Sequence, residues 1–248
     1  MTQPKQKGFT LVEIAVVLVI IGLLLGAILQ GQQLIASARV SNLSDQQAGI
    51  QAAYFGFIDR YRAVPGDMPN EDAIDAIGDP DINGGGAGIG RLPGPDGSDG
   101  DGDYPTTEGR GHWSALNGVW EHLAAAGFIR GSYSGADSAP QDSADAPQNA
   151  FNGLVFLARH NGYTDSRSGS PPYRLLYSFG RNVPASIARE LDVKLDDGRP
   201  LSGAVRNSTE GSSNNRWESG PGCIDDEADP PIWDIEQDEQ DCNPVFIF

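Results

Sequence analysis

The dominant feature in the pattern of apolar and polar positions is the run FTLVEIAVVLVIIGLLLGAIL, Phe9 to Leu29, broken by one charge at Glu13. About 20 residues rising 1.5 Å each cross a hydrocarbon core of ~30 Å, so residues 9–29 are predicted to form one transmembrane helix. The Ile, Val and Leu side chains from Ile14 to Leu29 favour insertion by roughly 4 to 7 kcal/mol, against a cost of about 3 kcal/mol for one central carboxylate. Glu13 therefore does not prevent it. Gly22 and Gly26 form a small-xxx-small pair that lets helix backbones approach closely. No proline occurs between Pro4 and Pro65, which lets the helix run on over 30–63 outside the bilayer. There Ala36, Val40, Leu43, Gln47, Ile50, Tyr54, Phe57 and Tyr61 alternate steps of four and three, a stripe apolar except at Gln47. A stripe this short, fused to a membrane span, is expected to pack on the protein's own domain rather than in a coiled coil.

Val64-Pro65-Gly66-Asp67 should end the helix and open a globular domain over 64–248, since proline disfavours helical geometry before it and glycine allows a reversal after it. Residues 67–111 are rich in Gly, Asp and Pro with few apolar anchors and are predicted to be a long connection. Trp113 to Ala126 reads as a helix with Leu116, Trp120, Leu123 and Ala124 on one face and Gly127 as its stop. Strands are predicted at Gly153–Ala158, Tyr173–Phe179, Leu191–Leu195 and Gly203–Arg206, the last two flanking a turn at Asp196-Asp197-Gly198-Arg199. Val245 to Phe248 is apolar enough for a last strand or a contact patch. The expected fold is α+β: a long N-terminal helix packed on a small antiparallel sheet with long loops.

Charge narrows the function. A formal net charge of -17 and a pI near 4.3 argue against a nucleic-acid partner, which needs clustered Lys and Arg. Lys5 and Lys7 precede the span and put its N-terminal end in the cytoplasm by the positive-inside bias, leaving everything after Leu29 outside. An ordinary secretory signal cut at Ala36-Ser37-Ala38 would need a leader well beyond the usual ~15 to 30 residues. Cys223 and Cys242 are too far apart for a CxxC redox pair, and outside the cytoplasm they read as a disulfide bounding a C-terminal loop, 223–242. His112, His122 and His160 fall in no catalytic motif, and the chain is not expected to be an enzyme.

At Gly8-Phe9-Thr10-Leu11-Val12-Glu13 the sequence resembles the class III signal of type IV prepilins and type II secretion pseudopilins. The resemblance rests on a short basic leader, glycine at the junction, phenylalanine next, glutamate five residues into the remainder, and an apolar run following the junction. It implies that a prepilin peptidase removes residues 1–8 by cutting between Gly8 and Phe9, and that the new amino group of Phe9 is methylated. It further implies that Glu13 pairs with the Phe9 amine of a neighbouring subunit as an inner-membrane assembly platform builds a filament of pilin or pseudopilin subunits. Independently of any family, a lone carboxylate in a bilayer is costly and marks function. The segments Gly26 to Ile35 and Tyr61 to Asp67 look like those of pilin-like proteins with long, loop-rich C-terminal domains. Many major pilins place a helix-breaking proline near the end of the span, where this chain has Gln30. The competing expectation is a periplasmic binding or enzymatic domain that uses the helix only as an anchor in the lipid bilayer.

Two acidic stretches invite a hard cation. Asp79-x-Asp81-x-Asn83-Gly84 copies the start of an EF-hand-type calcium loop, with Gly90 where the closing glutamate would stand. Asp99, Asp101 and Asp103 place carboxylates at alternating positions, with Asp96 nearby, so calcium is a candidate ligand of either stretch, beside the ordinary reading of acidic, Gly-rich loops that are merely solvated.

Overall fold

The computed structural model of the chain describes residues 10–105, 111–166, 169–210 and 217–248. It divides into two units, one ending at Arg39 and one running from Val40 to Phe248. Helix α1, Leu11–Tyr61, makes up the described part of the first unit beyond Thr10 and continues into the second. In the first unit its large apolar side chains lie open, from Leu11 at 91% exposure to Leu29 at 64%. Among the described residues this is the one helix long and apolar enough to cross a membrane, and none of its most apolar window is buried. Such a surface is covered by lipid or by other chains, never by water.

In the second unit the predicted stripe faces inward. Val40, Leu43, Gln47, Ile50, Tyr54 and Phe57 are buried, joined by Ala53, while Ala36 and Tyr61 are half-buried. Leu43 and Phe57 are fully enclosed, each contributing about 1.5–3 kcal/mol through burial. Gln47, the polar exception, donates from Nε2 to Gln51 Oε1 at 3.0 Å. The helix stops at Tyr61 because Arg62 turns left-handed, with φ of 56°. At Gly66 φ is +85°, and a Cβ there would lie 2.2 Å from the Ala115 carbonyl oxygen. Only glycine lets the chain reverse this close to its neighbour.

Helix α2, Asn70–Ile77, interrupts the segment expected to be continuous loop. Its signals are local: Glu71 and Asp72 complement the dipole in the first turn, and Gly78 takes the left-handed cap with its N–H on the Ile74 carbonyl. Helix α3, His112–Ala125, forms where predicted and is buried on nearly every side through Leu116, Val119, Trp120 and Leu123. Its His122 ring stacks on Phe57 of α1 at 6.3 Å between centroids.

Strands β1, Phe156–His160, and β2, Arg174–Ser178, match the first two predicted strands. The predicted strand at Leu191–Leu195 is instead the last part of α4, Ala185–Leu195. Pro184 precedes that helix, and Ile187, Ala188 and Leu191 recur at helical spacing on its buried face. A five-residue window held too few turns to reveal the period. Strand β3, Val205–Asn207, follows, then the short pair β4, Ile224–Asp225, and β5, Ile232–Trp233. The chain ends in β6, Pro244–Ile247, the strand expected there. Four strands make one antiparallel sheet in the order β1-β2-β6-β3. β6 is thus central, with Phe246 facing Tyr177 on one side and Val205 on the other. The result is an α+β fold with a long N-terminal helix on a small antiparallel sheet.

Candidate functional site

Gly8 and Phe9, the predicted cleavage and methylation residues, lie outside the described residues. Glu13 lies within them, at the head of α1. Its Oε2 accepts from the Thr10 backbone N–H at 3.0 Å and from Thr10 Oγ1 at 2.9 Å, and its own N–H donates to Thr10 Oγ1 at 3.3 Å. This is a capping box, Thr-x-x-Glu, with Thr10 at the N-cap and Glu13 three positions in. The motif was readable in Thr10-Leu11-Val12-Glu13, although the sequence reading gave that glutamate only an intermolecular task. Gly22 and Gly26 lie in α1 with nothing within 4 Å of where a Cβ would be, so that face is open to a neighbouring helix.

Asp67, just past α1, organises the loop that follows. Only 2% exposed, it accepts from the Tyr104 hydroxyl through Oδ1, and through Oδ2 from Gly90 N–H at 2.6 Å and Arg91 N–H at 3.3 Å. Burial pushes its carboxyl above the usual carboxylate range, opposed by the donation from Tyr104 and by the N–H groups of Gly90, Arg91 and Gly88. His122 ties the same loop down: Nδ1 accepts from Gly66 N–H at 3.0 Å while Nε2 donates to the Asn83 carbonyl at 2.8 Å. Those two partners fit only the neutral ring with its proton on Nε2, and burial lowers its pKa to about 4. Each of the other two histidines also meets its own surroundings. His112 Nε2 lies 3.1 Å from the Pro95 carbonyl, and His160 Nδ1 is 3.7 Å from Asp96.

The calcium expectation fares differently at its two places. Asp79, Asp81 and Asn83 line one cavity of about 380 Å³ with Glu121 of α3. Within it Asp79 Oδ1 accepts the Asp81 N–H, and the Asn83 amide donates to Glu121 Oε1 at 3.1 Å. Gly90, at the closing position, is bound to Asp67. At the second stretch a side chain supplies the cation. Arg91 donates to Asp99 Oδ2 from Nε and Nη2, at 3.1 and 2.8 Å, and reaches Asp101 Oδ2 from Nη1 at 2.7 Å. Asp103 joins through its backbone, bridging to Ser98. Among the described residues neither stretch gathers three carboxylates, whereas Asp192, Asp196 and Asp197 do, a group that the expected strand over Leu191–Leu195 hides by separating Asp192 from the two aspartates of the turn.

Cys223 and Cys242 form the disulfide the sequence suggested. The enclosed loop holds β4 and β5 and is pinned to α4 at two points and to the segment before it at a third. Trp233 Nε1 donates to Asp192 Oδ2 at 2.8 Å, Ser186 N–H to Asp238 Oδ1 at 2.9 Å, and the Arg181 guanidinium to Asp241. Asp192 is fully enclosed, and burial raises its pKa to about 6, with Trp233 and Gly198 pulling it down and Asp197 and Asp196 pushing it up. Because the folded value lies above the unfolded one, the stability this group contributes is complete below about pH 4 and is lost as pH rises through about 6. Denaturant midpoints of wild type and Asp192→Asn at about pH 5 and 7.5 are expected to show wild type losing about 1.4 kcal/mol relative to the variant over that interval. A pH-independent difference between the two would disprove it.

Residues 3–29 match the family model of the prokaryotic N-terminal methylation motif. No curated protein and no solved structure matches the chain. The motif ends where the apolar run ends, and it encloses both the Gly8-Phe9 junction and the capped Glu13. The N-terminal segment of this chain is therefore a type IV prepilin-like signal, carried on a helix able to serve as a single-pass membrane anchor.

Proposed function

We propose that the protein is a structural subunit of a type IV pilus-like or type II secretion pseudopilus filament, without catalytic activity of its own. The observation that supports this most is a methylation motif at the head of a helix whose most apolar, membrane-length stretch is wholly open. In this reading prepilin peptidase cuts between Gly8 and Phe9, Phe9 is N-methylated, and the retained helix holds the subunit in the inner membrane with the acidic domain in the periplasm. Polymerisation then packs α1 against its counterparts, and the Phe9 amine of one subunit offsets the Glu13 carboxylate of another. A carboxylate with no such partner in lipid would cost several kcal/mol.

Crosslinking between neighbouring helices in intact membranes tests the reading. Wild type is expected to give ladders of linked subunits whose mature N-terminus is methylated Phe9, and Glu13→Ala to give monomer. Equal ladders would favour the simple anchor, and a mature chain starting at or beyond Ser37 would end the proposal.

A further inference from the structure

Where α1 gives way to α2 the chain encloses a cavity of about 500 Å³, walled by the end of α1, by α2 and by the returning loop at Gly88 and Gly90. Asp67 bonds that loop in place, its carbonyl accepting from Gly88 N–H at 2.7 Å and its Oδ2 from Gly90 N–H at 2.6 Å. The walls are therefore tied to one another. Pockets of roughly 300–1,000 Å³ that combine an apolar wall with a few placed polar groups are where small ligands and side chains bind.

The lining says which charge belongs there. Val64, Met68 and Pro69 supply the apolar wall, with Met68 only 5% exposed. Asp72 and Asp75 of α2 supply carboxylates, three residues apart, a spacing that sets two helical side chains beside each other. Among the described residues neither carboxylate has a hydrogen bond or an ion pair. Asp72 also answers the positive N-terminus of α2, whereas Asp75 lies beyond its first turn. The C-terminal end of α1 adds to the negative side, because its last carbonyls have no partner further along the helix and its dipole favours cations. Arg62, the cationic residue in the lining, is turned to Asp59 at 3.4 Å with its side chain 81% exposed. Asp67 already holds Tyr104, Gly90 and Arg91. An anion would thus be repelled. A bare calcium ion wants about six to eight oxygens around it, where Val64, Met68 and Pro69 offer carbon. We propose that the cavity binds an organic cation, an alkyl guanidinium or ammonium, with its stem on Val64, Met68 and Pro69 and its head on Asp72 and Asp75. Arginine and lysine stems bury along apolar surface in this way, and the planar fork of a guanidinium suits paired carboxylates better than a point charge. A free amine and a side chain of a partner protein share this chemistry.

Met1 and Met68 are the only methionines, so carbon-13 labelling of methionine methyls reports on the cavity wall through Met68, with Met1 as an internal reference. The full-length chain in non-ionic detergent is titrated with agmatine, with the tripeptide acetyl-Gly-Arg-Gly-amide, and with its citrulline counterpart, which keeps the shape and lacks the charge. Agmatine is expected to move the Met68 signal, and the citrulline peptide to act at least tenfold more weakly. Equal action of the arginine peptide assigns the site to a partner's side chain, and action of agmatine alone assigns it to a free cation. Asp72→Asn with Asp75→Asn is expected to weaken agmatine binding at least tenfold. Ala76→Trp, which keeps every charge and fills the cavity from an exposed position of α2, should do the same. A Met68 signal unmoved by both cations, or moved equally by the citrulline peptide, would overturn the proposal, as would unchanged binding in both variants. None of these outcomes bears on polymerisation, so the filament reading is tested separately.

Discussion

Replacement of Asp67 by alanine is expected to cost about 3 kcal/mol or more and to release the segment from Ile82 to Tyr104 as a unit. Three donors converge on this one carboxylate, the Tyr104 hydroxyl and the Gly90 and Arg91 N–H groups, and each buried donor left without an acceptor costs about 1–3 kcal/mol. The Asp67 backbone carbonyl also accepts from Gly88 N–H at 2.7 Å, so the residue is bound to the loop from both ends. Asp67→Asn should be nearly as damaging, because an amide turns a donor toward at least one of the donors already present. Tyr104→Phe, which removes a single hydrogen bond, should cost only about 1 kcal/mol. Denaturant midpoints of the three variants, with limited proteolysis across 82–104, check the ranking. Asp67→Ala no worse than Tyr104→Phe would mean that the loop is held by something other than this carboxylate.

Removing the disulfide by Cys223→Ser with Cys242→Ser is expected to lower stability by about 3 kcal/mol, the loop-closure value for a ring of this size. Nine carboxylates between the cysteines repel one another once the ring is open. The loss should be local. Hydrogen exchange is expected to accelerate in β4, β5 and the start of α4, where Ser186 and Trp233 lose their fixed partners, and to change little in α1 or β1. Uniform acceleration, or an unchanged midpoint, would contradict this account.

The parts of the molecule that were legible in the sequence are those built from neighbours along the chain. The membrane-length run needs only length and hydropathy, and the stripe from Val40 to Phe57 needs only a helical period, so both were readable. So was α3, bounded by Gly111 and Gly127. What could not be read depends on distant partners. Nothing in Pro65-Gly66-Asp67 announces that the carboxylate will collect Tyr104, 37 residues away, or that His122 will meet Gly66 from 56 residues on. The alternating acids at Asp99 and Asp101 suggest a metal because their spacing is visible, whereas Arg91, which pairs with both, is not marked by any pattern. α2 and α4 are hidden for a different reason: the glycine cap of α2 and the helical period of α4 are present but short, and the surrounding Gly, Asp and Pro content masks them.

If the chain polymerises as proposed, the capping box at the head of α1 bears on how it waits beforehand. A bare carboxylate would make a solitary subunit expensive to keep in lipid, yet Glu13 already holds the hydroxyl and N–H of Thr10. In the filament reading, an arriving terminal amine therefore competes with an internal partner instead of filling a void. The solitary chain can rest in the bilayer as a reservoir, and recruitment becomes an exchange of one bonded arrangement for a stronger one.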